Sequence, residues 1–506
     1  MKHPLKPLLL LLSALLLLTA CSSHPGTPDG SAPSADTSAE SKTEALTETE
    51  TQAETETAPD AQAPDTQTPD GDTSEEATAP EEQPADRPDL CVVRDKTSDF
   101  KVIYAKSASD YIAGTAKSLR AALVRAFDMT KNPIRFATDL GTAGVVENDE
   151  YEILVGMTNR KESMEVAASL PPDSFTVTSR GNKLVILGSD DYRTALAVAY
   201  FLEHFVDTAS DELIFSHDST VTEADPMRQV DLAEGASIRI MSWNLHCPDA
   251  EDYSLFTNML NSILYYGADI IGLQECNAAA HRSVVDVLAQ KYAVATTHHS
   301  GTNTYDYTPI LYNPERFDLL DSGVEWLDGR YTGTNTKCIS WAVLADRSNG
   351  GAKLIMINFH GAVANNSYKG MENMTKEELN AQANEWKLDN IRQVHRRIAA
   401  LEEKWGKELP VFVSADYNTS KGAEPYVLME SYGYLDAEFN AVTSAVTGTK
   451  STHTIGKKPV GGKSIDHVFY SPDRGITVYV HAFGMRQADL DATDHLPLYV
   501  DLAITP

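Results

Sequence analysis

The chain has 506 residues, of which 42% are hydrophobic and 23% charged, and 73 acidic against 42 basic side chains give it a formal net charge of −31. That length is too great for one ordinary hydrophobic core and calls for more than one folded region. The acidic balance supplies no broad phosphate-binding footprint of the kind long nucleic acids need.

Taken from the start, Lys2 and Lys6 precede an apolar run from Leu8 to Leu18, followed by Thr19-Ala20-Cys21. A basic region, a leucine core and small residues before a cleavage point make a secretory signal (residues 1–21). The run is too short for a membrane span, which needs about 20 apolar residues as a helix. Ending on cysteine resembles the lipobox of bacterial lipoproteins, which implies lipidation of Cys21 and a protein held on the outer face of the cell membrane; the alternative is an ordinary signal with an incidental cysteine.

Residues 22–88 form the next segment. Between Ser22 and Asp86 there is no aromatic residue, and 17 acids face the single lysine Lys42, a net of −16. Such a stretch cannot bury enough apolar surface to offset the entropy of ordering it, so it is expected to be a disordered, proline-stiffened tether. Half of the chain's charge therefore lies outside its folded parts. From Ala236 to Pro506 the sequence carries 23 basic and 32 acidic side chains, a net of −9.

Residues 89–228 read as a small α/β region. Strands are expected at Phe100–Tyr104, around Ile134-Arg135-Phe136, at Tyr151–Val155, Ser174–Val177 and Leu184–Leu187, with helices at Ala108–Phe127 and Tyr192–Phe205. Arg180-Gly181-Asn182-Lys183 suits a tight hairpin turn. The pattern looks like the accessory domain that precedes the catalytic barrel in several glycoside hydrolases, which implies either a packing role or contact with glycan. Fold likeness alone does not choose between them.

After a polar, turn-forming boundary from Glu223-Ala224-Asp225-Pro226 to Glu234-Gly235, strands repeatedly end on polar residues. Ile238 to Trp243 ends at Asn244. A helix from about Asp252, with Leu255, Met259, Ile263 and Tyr266 at helical steps, stops at Gly267. Ile270 to Leu273 delivers Gln274-Glu275, and Leu354 to Ile357 delivers Asn358-Phe359-His360. A long helix opens at Thr375 with Glu378 as a capping box. Val411 to Val413 delivers Asp416-Tyr417-Asn418, Ser464 to Phe469 carries Asp466, and Thr493-Asp494-His495 precedes an apolar run from Leu496 to Ile504.

Each of these has an ordinary explanation as a turn or a solvated strand end. Together, acids, amides and histidines at five strand ends are how a phosphoester site with a hard cation is built. Mg²⁺ needs few carboxylates because it keeps several waters. Developing phosphoryl charge needs metal and donor groups, and a water nucleophile needs a base such as histidine. No CxxC pair exists, so a thiolate zinc site is not indicated, and whether Cys91, Cys247, Cys276 or Cys338 form disulfides is left open.

The ordered set SWNLH, LQE, LYNPERF, NFH, SADYN, IDH and TDHLPL resembles the endonuclease/exonuclease/phosphatase superfamily, which includes deoxyribonuclease I, abasic-site endonucleases, neutral sphingomyelinases and inositol polyphosphate 5-phosphatases. The resemblance covers residues 236–506. It implies a four-layer α/β/β/α sandwich and Mg²⁺- or Mn²⁺-dependent hydrolysis of a phosphodiester or phosphomonoester. Glu275 is implied as the principal metal ligand, with Asn244 beside it and Asp494 as a further ligand. His360 would donate to the phosphate or leaving group, and Asp416 and Asn418 would hold and orient the attacking water, with a metal as a further partner for the Asp416 carboxylate. His495 would be base or phosphate donor, oriented by Asp466.

The family's usual Gly-Asp is Ala415-Asp416 here. His467 points away from Asp466 and is assigned to packing, as is Tyr312 in the LYNPERF strand. His453 and Lys337 are candidate substrate contacts; His298 and His299 are assigned to a loop. A surface glycan-binding or adhesion protein carrying an inactive scaffold is the rival reading, whose mark would be a missing catalytic residue. The mild acidity disfavours long nucleic acid, and the polar stretch from His298 to Tyr307 offers no membrane-inserting hairpin.

Overall fold

The computed structural model describes residues 89–505, apart from 142–143, 223–229, 249–252, 297–306, 328–336, 365–366, 369, 448–450, 456–457, 460–462, 487–488 and 490–491. The signal segment, Cys21, the tether, the 223–226 boundary, Asp252, His298, His299 and Thr336 lie outside the described residues. Among the described residues no helix is long and apolar enough to cross a membrane.

The first folded region is a sheet buried on both faces. Its strand order is Arg135–Thr138, Lys101–Tyr104, Glu152–Val155, Lys183–Gly188, Ser174–Arg180, Ser219–Thr222. The first four run parallel and the last two join antiparallel. Alternation along the strands sorts the side chains by face. Val102, Ile153, Val155, Leu184 and Ile186 meet the helices Asp110–Ala126 and Asp191–His204, while Ile103, Leu154, Val185 and Leu187 meet Val166 of the helix Lys161–Ser169. The expected helix starts shift by one or two residues because Ser109 and Asp190 act as N-caps, accepting from Ile112 N and Arg193 N. Arg180 pairs with Lys183 across the expected turn, with Gly181 at φ +56°. The Leu90–Arg94/Glu212–Phe215 ladder, the Lys161–Ser169 helix and the Ser219–Thr222 strand are elements the sequence reading did not separate.

The second region is a four-layer α/β/β/α sandwich, as expected. One sheet runs Ala293–Val294, Ile310–Tyr312, Ile270–Gln274, Ile238–Asn244, Leu498–Thr505, Thr477–Arg486, Thr443–Thr447; the other runs Phe317–Trp326, Cys338–Asp346, Ala352–His360, Val411–Asp416, Asp466–Tyr470, Leu435–Asp436. Ile240, Ile270, Ile310 and Leu498 from the first pack against Leu354, Met356, Phe412 and Val468 from the second. The helix Tyr253–Tyr266 covers the first sheet with Met259, Leu260 and Ile263 against Met241 and Ile271. The helix Lys376–Trp405 covers the second with Ile391, Val394 and Ile398 against Ile355, Ile357 and Val411, and its Thr375–Glu378 capping box forms. The first region docks on the outer helix: Tyr111 and Ile112 join its core, and Tyr192 Oη donates to Asn261 Oδ1 at 2.5 Å.

Two details differ from expectation. LYNPERF is not one strand. Ile310–Tyr312 ends at a turn in which Asn313 Oδ1 accepts from Glu315 N and Asn313 O from Phe317 N, and a new strand starts at Phe317; Asn and Pro bend the chain there. Asp466 begins its strand rather than lying inside it.

Candidate active site

Parallel pairing explains why the polar strand ends meet. Ile238–Asn244 and Ile270–Gln274 run in register with Asn244 beside Gln274, and Ala352–His360 runs beside Val411–Asp416 with His360 opposite Asp416. Asp466, antiparallel, sits opposite Asp416. Parallel neighbours finish at the same edge, so one edge of the sandwich collects the polar residues of both sheets.

Not all of these residues reach the site. Gln274 Nε2 donates to Asn358 Oδ1 at 2.7 Å and Ser242 Oγ at 3.1 Å, and Ser414 Oγ donates to Asn358 Oδ1 at 3.0 Å. This buried polar bridge joins the two sheets beneath the edge. Gly272 is required there, because a Cβ would lie 2.2 Å from Ser414 Oγ.

Above the bridge, Asp416 is the node. Its Oδ1 accepts from Asn418 N at 2.7 Å, and its Oδ2 from Asn244 Nδ2 at 2.9 Å. His360 Nε2 lies 3.4 Å and His495 Nε2 3.8 Å from the same Oδ2. Asn244 Nδ2 also reaches Glu275 Oε1 at 3.3 Å, and His360 Nε2 is 3.6 Å from that oxygen. Burial works against charge on Glu275, but the His360–Lys337 pair and the Asn244 amide hold its carboxyl below the usual range. Asp416 is likewise held low, against its burial, by the cationic side of His495, His360 and Lys337.

The expected pairing of Asp466 with His495 is present as a contact: Nδ1 lies 2.9 Å from Oδ2 and 3.1 Å from Oδ1. Trp243 Nε1 donates to His495 O at 2.9 Å, and Thr493 Oγ1 to Asn244 O at 3.1 Å, so the TDH segment is tied to the SWN strand. Burial opposes a charged His495 ring, yet Asp466 and Asp416 push its pKa up to about 10.

Lys337, a candidate substrate contact, is buried with Nζ against His360 Nε2. Burial lowers its pKa to about 8 despite Glu275 and Asp416, while burial and Lys337 lower that of His360 to about 4. His360, the expected phosphate or leaving-group donor, thus has Nε2 against Lys337 Nζ and 3.4 and 3.6 Å from the Asp416 and Glu275 carboxylates. His360 Nδ1 is buried without a hydrogen-bond partner among the described residues.

Asn418 is the other residue expected to hold the attacking water. Its Nδ2 donates to Gly361 O at 3.2 Å, and its carbonyl accepts from Lys387 Nζ, so it shapes the loop and presents its backbone N–H to Asp416. Asp494, the expected further ligand, is held by contacts with two imidazoles. It lies between His246, whose Nδ1 is 2.8 Å from Oδ1, and His453, whose Nε2 is 3.7 Å from Oδ2. Asp416 is the carboxylate that shares Asn244 with Glu275.

Sequence reasoning gave no role to His246 or Cys247, although both follow Asn244. His246, Cys247, Glu275 and Asn418 all have positive φ (56°, 41°, 51° and 50°). A left-handed backbone is costly for such residues and persists where surrounding contacts over-determine it, as at functional sites. Ala415, in place of the family's glycine, is not among the positive-φ residues. His467 is buried in packing contacts as expected, but those contacts are polar: Nδ1 lies 2.8 Å from Asp436 Oδ2 and Nε2 2.9 Å from Thr419 O. Among the described residues Cys91, Cys247, Cys276 and Cys338 form no disulfide, and burial raises the pKa of the Cys247 thiol to about 12.

Two carboxylates, Glu275 and Asp416, thus converge on one amide group beside a buried lysine. That donor set suits a hard divalent cation, which needs one or two carboxylates and fills its remaining positions with water and substrate oxygens.

Residues 241–495, half of the chain, match the family model described as the Endonuclease/Exonuclease/phosphatase family. No curated protein matches the sequence. Similar solved structures include an endonuclease/exonuclease/phosphatase family protein from Bacteroides thetaiotaomicron, 17% identical over 53% of this chain and 95% of that one, with a TM-score of 0.43. A mannosyl-6-phosphatase from the same organism is 17% identical over 53% of this chain and all of that one, at 0.42. The human Nocturnin catalytic domain is 16% identical over 53% of this chain and 94% of that one, at 0.38.

Proposed function

The chain belongs to the endonuclease/exonuclease/phosphatase family, and from that premise we propose that it hydrolyses a phosphodiester or phosphomonoester with an activated water, using Mg²⁺ or Mn²⁺. The observation that carries this reading is the Asp416 node, where Asn244, Asn418, His360 and His495 all address one carboxylate.

Glu275 and Asp416 would hold the cation, which when bound offsets the charge of the phosphate and of the transition state. Asn244 fixes both carboxylates through one NH₂ group. Asp416 Oδ2 and His495 Nε2, 3.8 Å apart, frame the attacking water. Asp466 and Asp416 favour the imidazolium form of His495, so the charged ring would donate to a phosphoryl oxygen while Asp416 Oδ2 would accept the proton of the attacking water. Lys337, steadied by His360, supplies the second positive donor.

The substrate favoured is a small or glycan-linked phosphoester. The net charge of −9 from Ala236 to Pro506 and the burial of Lys337 at the floor of the site suit one phosphate better than a long polyanion. We place the protein on the outer face of the bacterial membrane through Cys21, on the strength of the Leu18-Thr19-Ala20-Cys21 sequence. Cys21→Ala should release it from the membrane fraction; a processed variant that stays there rules the anchor out. For the activity, purified protein with Mg²⁺ or Mn²⁺ is assayed on bis-(p-nitrophenyl) phosphate, sugar phosphates, inositol phosphates, sphingomyelin and nucleic acid. Turnover of a small ester is expected, and no turnover of any of them refutes the reading. An inactive adhesion scaffold would also bind no Mg²⁺ by calorimetry.

A further inference from the structure

Beside the carboxylates Glu275 and Asp416, at the mouth of the site, lies a group of different chemistry. His453, Asp494 and His495 each offer a ligand atom, and those atoms all lie within 4.8 Å of one another. The His453 and His495 rings stand 4.9 Å apart, and their backbones form an antiparallel bridge. His246 adds a third imidazole, with Nδ1 2.8 Å from Asp494 Oδ1.

We propose that His453, Asp494 and His495, with His246 at the rim, form a binding site for a borderline divalent ion of the zinc class. Imidazole nitrogen suits zinc and its neighbours, whereas Mg²⁺ takes oxygen ligands and keeps its waters. Zinc bonds of about 2.0–2.2 Å place two ligands of one tetrahedral ion about 3.3 Å apart. The separations from Asp494 to His246 and His453, 2.8 and 3.7 Å, bracket that value, so small side-chain rotations complete the site. Asp466 holds His495 Nδ1 at 2.9 Å, and an ion at Nε2 takes the place of the proton there, giving the carboxylate–imidazole–metal arrangement that fixes a ligating histidine. The His246 side chain is 64% exposed and that of Asp494 28%, so an ion reaches the group from solvent.

Two cation positions of unlike preference therefore adjoin, one lined by oxygen at Glu275 and Asp416, one lined by nitrogen around Asp494. An ion at the second occupies His495 Nε2, the atom the hydrolysis uses, so zinc inhibits while Mg²⁺ supports. That consequence rests on the phosphoesterase reading; the binding itself does not.

The full chain, stripped with a chelator, is titrated with Zn²⁺ by calorimetry in excess Mg²⁺, and its crystals are measured at the zinc absorption edge. One site is expected, with an anomalous peak among His453, Asp494 and His495, and His453→Ala should weaken binding by at least about tenfold. His246→Ala, at an exposed position, should weaken it less and serves as the second variant if His453→Ala does not fold. A zinc peak there supports the site even in a protein that turns over no phosphoester. A peak at Glu275 and Asp416, no bound zinc, or an affinity that neither variant changes overturns it.

Discussion

Lys337 Nζ lies against His360 Nε2 in a buried contact, and the Glu275 and Asp416 carboxylates stand 3.6 and 3.4 Å from that same nitrogen. A buried lysine among two carboxylates is their counter-charge, and taking away one partner of a buried set leaves the others uncompensated. Lys337→Met, similar in length and without charge, should cost the metal-free protein about 3 kcal/mol. Saturating Mg²⁺ should recover part of that loss in denaturant titrations. An unchanged midpoint, with and without Mg²⁺, shows that Lys337 balances nothing.

The Asp466–His495 pair sets the next expectation. His495→Ala should lower kcat by roughly 10²- to 10⁴-fold, the range of general acid–base groups. Asp466→Asn should do much the same, since an amide cannot stabilise the charged ring. Because the two act as a unit, the double variant should be little worse than either single one. Losses that multiply in full mean that the pair works as two independent groups.

Glu275→Gln keeps the size of the side chain and removes one of the two carboxylates on Asn244. Mg²⁺ affinity should fall, and raising Mn²⁺ or Mg²⁺ should restore part of the activity, while the metal-free melting temperature stays within about 3 °C of wild type. A collapse of that temperature instead makes Glu275, with its φ of 51°, a structural residue.

Both ring nitrogens of His467 face acceptors, Asp436 Oδ2 and Thr419 O, which requires two N–H groups and therefore a charged ring. Burial opposes that charge, but Asp436 and the Thr419 carbonyl raise the pKa above the ordinary histidine value. A raised folded pKa contributes stability that is fully present below the unfolded value of about 6.5 and is lost as pH rises through the folded one. His467→Gln should therefore be most destabilising near pH 6, and the gap from wild type should narrow toward alkaline pH. Equal gaps at both ends show that the ring is neutral.

Much of this protein follows from local rules acting on the sequence. Period-two and helical spacing located the strands and helices of the sandwich, Thr375 and Glu378 located a helix start, and the polar residues at strand ends marked the edge where chemistry gathers. Alternation could not separate the polar residues that line the site from those that join the sheets: Gln274 and Asn358 look like Glu275 and His360 in sequence, yet they hydrogen-bond to each other between the layers. Which carboxylate partners which group was decided by tertiary structure alone. Asp416 shares Asn244 with Glu275, because strand register brings Asp416 beside His360 and opposite Asp466. The same holds for the charge on Lys337 and the gathering of His246, His453 and His495 around Asp494. Protonation and ligand geometry depend on distances of a few ångströms between residues far apart in the chain, as the 248 positions from His246 to Asp494 illustrate, and only the closing of two sheets on each other sets those distances.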